Sequence, residues 1–104
     1  MTGGILVTLI VFGASAIAVG KPDQVKELQK GMPEPVANLI SRIVDCNHWS
    51  GEEIYDAARR AEIKRALSEL RCEDLEKDEN AILKQHGSNP AVRRSIKAAK
   101  DVYL

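Results

Sequence analysis

The chain has 104 residues, in which 15 Lys and Arg balance 15 Asp and Glu. One domain fits that length. The neutrality excludes the positive excess with which a protein displaces counterions from nucleic acid, and it disfavours long-range attraction to an anionic membrane.

Residues 1–20 carry no charged side chain, and Ile5, Leu6, Val7, Leu9, Ile10, Val11 and Phe12 form an apolar centre. Such a segment is set apart from fold reasoning as a targeting leader. Ala14-Ser15-Ala16 and Ala16-Ile17-Ala18 both fit the small-residue cleavage pattern of a secretory signal, although Thr2, Gly3 and Gly4 replace the usual basic start. The alternative is an uncleaved anchor, since about 20 apolar residues span a bilayer. Either reading exports the domain: periplasmic or secreted if cleaved, membrane-anchored through residues 1–20 if not.

In residues 21–34, Val25 and Leu28 sit three apart among charges, and Gly31, Pro33 and Pro35 then punctuate the chain. A short helix and a linker are expected there. From residue 35 to 104 the pattern is that of a helical domain. Val36, Leu39, Ile40, Ile43 and Val44 repeat at i, i+3, i+4, i+7 and i+8, one face of an amphipathic helix with Pro35 in its first turn. This helix is expected to end near Cys46.

Residues 47–55 read as a loop running back beside the next helix. Ser50 with Glu53 three residues on is a possible capping box, but Asp56 is the alternative N-cap, and Cys46 and Cys72 decide between them. Two cysteines in an exported small domain read as one disulfide. Bridged Cα atoms lie within about 7 Å, whereas a helix from Gly51 to Cys72 is roughly 31 Å long and four residues reach back only about 16 Å. A start near Asp56 is therefore expected. The bridge adds roughly 3 kcal/mol in the chain-entropy model, useful where a core this small supplies on the order of 3–5 kcal/mol net.

After Asp56, Ile63, Ala66, Leu67 and Leu70 share a face. Cys72, Leu75 and Ile82 lie on another, so the helix either breaks near Cys72 or is covered on two sides. Gly87 is a natural helix stop. Asn89 followed by Pro90 is a start signal, and Val92, Ile96, Ala99 and Tyr103 form the last apolar stripe. Strand signals are absent. The expected fold is all-α: a small bundle of three to four helices stapled by one disulfide, after an N-terminal hydrophobic leader.

No catalytic motif stands out. Cys46, His48, Cys72 and His86 have the residue types of a zinc site but no standard spacing, so no metal and no cofactor are expected. Ser50 near His48 lacks a nucleophile elbow. Glu52 and Glu53 are adjacent, not opposed as a glycosidase pair would be. The runs Arg59-Arg60 and Lys64-Arg65, set against Glu73-Asp74, read as a solvated helix face. The Trp-containing loop remains. His48, Trp49, Glu52, Glu53 and Tyr55 are the candidate binding residues, rich in types that dominate protein interfaces. The expected function is an exported or periplasmic binding protein with another envelope protein as partner, in an inhibitor, immunity or accessory role. The alternatives are a small hydrolase of envelope polymers using Glu52 or Glu53 as its acid, and a membrane-anchored structural module.

Overall fold

A computed structural model describes residues 21–103; the leader lies outside the described residues. Five α-helices and one 3-10 turn succeed one another: α1 (Lys21–Gln29), α2 (Glu34–Ser50), α3 (Ala57–Glu69), the 3-10 turn (Cys72–Asp74), α4 (Leu75–His86) and α5 (Pro90–Ala99). The described residues are all-helical, and they hold five helices where three to four were expected. The extra count comes from the break between α3 and α4.

Helix α2 is the axis of the core. Its five periodic positions, Val36, Leu39, Ile40, Ile43 and Val44, are all at most 3% exposed. They meet Val92, Ile96 and Ala99 of α5, with Val25, Leu28 and Met32 from one side and Leu75, Ile82 and Leu83 from another. The face carrying Leu75 and Ile82 is therefore covered within the domain. Helix α1 packs here too. The Gln29 side-chain amide donates to the Ala37 carbonyl at 2.8 Å and to the Ser41 hydroxyl at 2.7 Å, fastening α1 to α2.

Two expected boundaries change. Helix α2 does not stop near Cys46 but runs to Ser50, so residues 47–50 form its last turn and the loop shrinks to residues 51–56. Nothing in Asn47, His48, Trp49 or Ser50 breaks a helix; their propensities are only mildly unfavourable. The Ser50 hydroxyl donates back to the Cys46 carbonyl at 2.6 Å, and the Gly51 N–H closes on the Asn47 and His48 carbonyls. Tyr103 also leaves the expected stripe. Helix α5 ends at Ala99, the chain turns, and Val102 enters the core while Tyr103 stays 69% exposed.

The other signals hold. Asp56 caps α3, its carboxylate accepting from the Arg59 N–H at 2.8 Å. Asn89 caps α5 in the same way, accepting from the Ala91 N–H at 2.9 Å, with Pro90 at the first helical position. Gly87 comes directly after α4, and a Cβ built there would collide with the Leu83 carbonyl oxygen.

The break near Cys72 has a visible cause. Arg71 adopts a left-handed conformation, φ 54°, which few non-glycine residues adopt. Arg42, on α2, stabilises the bend. Its guanidinium donates to the Leu70 carbonyl at 2.7 Å, to the Arg71 carbonyl at 3.0 Å and to Asp78 at 2.9 Å. One side chain thus satisfies the Leu70 carbonyl at the end of α3 and adds a second donor to the Arg71 carbonyl, which also accepts from the Asp74 N–H. Beside it the Cys46–Cys72 disulfide joins α2 to the 3-10 turn with a Cα–Cα distance of 5.7 Å. No helix among the described residues is long and apolar enough to cross a membrane.

Candidate functional site

The five expected binding residues fall at one end of the molecule, split between two elements. His48 and Trp49 ride on the last turn of α2; Glu52, Glu53 and Tyr55 lie in the irregular connection of residues 51–56. Four of the five gather around Arg59, in the first turn of α3, a residue that the charge pattern assigns to a solvated face.

The Arg59 guanidinium pairs with Glu52 on one arm and with Glu62, at 2.7 Å, on the other. Its carbon lies 5.4 Å from the Trp49 ring centre and 5.9 Å from that of Tyr55, within reach of a cation–π attraction. The side chain is only 18% exposed, and its Nε is buried without a hydrogen-bond acceptor. The hydrogen bond to Glu62 holds Arg59 in its charged form and raises its pKa above the ordinary value; burial opposes this, and the hydrogen bond to Glu52 adds to it. His48 extends the cluster: its Nδ1 is 3.6 Å from Glu52, and its ring meets Trp49 edge-on at 5.5 Å.

Local chemistry explains the assembly. Asp56 fixes where α3 begins, and that start places Arg59 in its first turn. From there the long arginine stem reaches back over the connection to Glu52 and Trp49. Arg59 thus ties the two ends of the 51–56 segment together, and the disulfide ties α2 to the 3-10 turn that follows α3. The readable signal was the cap at Asp56, which sets the register of Arg59 against Glu52. Spacing rules within a single helix do not see a pair that crosses a loop.

Glu53 stands apart and exposed, and beside it Ile54 is 48% and Tyr55 71% exposed. A third large exposed hydrophobic side chain, Tyr103, reaches the same end. It lines one shallow groove with Asn47, His48, Gly51, Glu52 and Val102. Asn47 holds the C-terminal segment there, its amide donating to the Lys100 carbonyl at 3.2 Å.

The arrangement suits contact more than proton transfer. The Glu52 carboxylate is engaged by Arg59 and His48. Both cysteine sulfurs are committed to the bridge, and among the described residues no three His, Cys, Asp or Glu side chains group to hold a metal ion. No protein-family model, no curated protein and no solved structure matches this chain.

Proposed function

We propose that this chain is an exported helical binding protein that recognises another protein of the cell envelope, as an inhibitor, immunity or accessory factor, through the end built on residues 48–59. The observation that carries the reading is the placement of exposed large hydrophobic side chains about Glu52: Tyr55 beside its partner Arg59, with Ile54 exposed next to it in sequence, and Tyr103 in the groove that Glu52 lines. Tyr, Trp and Arg are the types that supply most interface energy, and a segment held at both ends loses less freedom on binding. The disulfide supports an oxidising, extracellular-type setting, and the leader pattern of residues 1–20 agrees with periplasmic or secreted location. The hydrolase reading has no observation in its favour, because Glu52 is engaged by Arg59 with His48 beside it, and Glu53 stands exposed next to it in sequence.

A photo-crosslinking residue placed at Tyr55, and at Lys84 as a control on α4, tests the proposal in the native envelope. The expected result is one discrete protein adduct from position 55 and none from position 84. Equal adducts from both positions, or none from position 55, would refute it. Intact mass before and after reduction tests the export part: loss of the leader with both thiols blocked until reduction is expected.

A further inference from the structure

The proposed contact end has a charge pattern that specifies its partner further. The molecule is neutral as a whole, yet its charge is not spread evenly. Between Arg42 and Arg59 the chain holds Asp45, Glu52, Glu53 and Asp56 and no Lys or Arg. Glu52 is answered by Arg59. Glu53 and Asp56 are exposed next to Ile54 and Tyr55, whereas Asp101 lines a groove with Arg93, Lys97 and Lys100 on the α5 side. Arg60 is the exposed cation nearby, while Lys100 is drawn to Glu79 at 2.7 Å. The opposite sign collects on α5, where Arg93, Arg94 and Lys97 are all exposed. The exposed apolar side chains thus sit on the acidic end.

We infer that this end docks on a protein surface offering an apolar pocket rimmed by Lys or Arg, with Ile54 and Tyr55 entering the pocket and Glu53 and Asp56 facing the rim. The inference rests on the proposed binding role of the same end. Complementary charge mainly raises the encounter rate and excludes wrong partners, while the buried apolar anchors supply affinity. The rim side chains are exposed, so salt screens them, over about 10 Å at 0.1 M.

An unbiased displayed-peptide library selected against the full oxidised chain tests this, with an Ile54→Ser/Tyr55→Ser variant as the counter-target. Both side chains are exposed, so helicity and the α2–α5 core survive the change, and circular dichroism verifies that. The expected peptides combine Lys or Arg with an aromatic residue or Leu. They lose tip binding in the variant and associate about tenfold more slowly in high than in low salt. Neutral or acidic peptides that still need Ile54 and Tyr55 overturn the basic-pocket inference and leave the binding reading standing. Peptides indifferent to the variant, or no enrichment, overturn both. So does sedimentation showing the end occupied by the cationic α5 face of a second copy.

Discussion

Helix α5 buries Val92, Ile96 and Ala99 within ten residues, whereas α3 buries only Ile63 within thirteen. The two helices are attached by different physics. An apolar stripe docks α5 onto α2, and the hydrophobic effect holds it along its length, with Asn47 on the Lys100 carbonyl at its end. The polar helix α3 is held by particular atoms: the Cys46–Cys72 bridge, Arg42 on the Leu70 and Arg71 carbonyls, and Arg59 on Glu52 and Trp49. A helix fixed in this way has little core to lose if it moves. It also leaves most of its surface, and the connection before it, free for contact.

The largest effect should come from the apolar side. Ile96→Ala, at a position 2% exposed, is expected to lower global stability by about 3–4 kcal/mol, within the usual range for truncating a buried Ile. Ile63→Ala should cost less in a urea titration, because it lies outside the main cluster. Equal losses would show that α3 belongs to the same cooperative core and would break the contrast.

Removing the bridge comes next. The Cys46→Ala/Cys72→Ala variant should lose roughly 3 kcal/mol in the chain-entropy model for a crosslink across 26 positions. The loss should be uneven. Hydrogen exchange is expected to rise in α3 and residues 51–56 while α1, α2 and α5 remain protected, the pattern of a local unit opening. Uniform deprotection would mean that the core depends on the bridge.

The stop at Gly87 gives a smaller test on the core side. Gly87→Ala must displace the Leu83 carbonyl oxygen, so a loss upwards of about 1 kcal/mol is expected, in line with extra atoms forced against a packed neighbour. An unchanged urea midpoint would show that the end of α4 relaxes freely.

The same contrast separates what could be read in the sequence from what could not. The stripe from Val36 to Val44 and the caps at Asp56 and Asn89 were legible because periodicity and caps are local rules, whereas the shift of the apolar face near Cys72 fitted a break and one long helix equally. Cys46 with Cys72 was legible because only one pairing exists. The end of α2 was misplaced because the apolar stripe stops at Val44, six residues before the helix does. Tyr103 was misplaced because the chain leaves the helix before reaching it. Arg42 and Arg59, the side chains that hold the polar half, were missed for another reason. Arg42 reaches carbonyls 28 and 29 positions away, and Arg59 reaches Glu52 across a loop. An arginine in a charged or amphipathic run looks the same whether it meets water or a distant carbonyl.

The two caps offer the finest test, because the same chemistry is used in both halves. Asp56 and Asn89 each satisfy one free backbone N–H at a helix start, and replacing either by Ala removes about 1 kcal/mol of helix stability. The consequence should differ with the helix. Helix α5 contributes to the core, so Asn89→Ala should lower the global urea midpoint by the full amount. Helix α3 buries only Ile63, so Asp56→Ala should appear mainly as faster hydrogen exchange in α3, with a global change well under that of Asn89→Ala. It should also loosen the connection, since Asp56 sets the register that brings Arg59 to Glu52 and Trp49. Greater exposure of Trp49 in its fluorescence spectrum would report this. Matching global losses from the two variants, with Trp49 unmoved, would mean that α3 is as firmly built into the domain as α5.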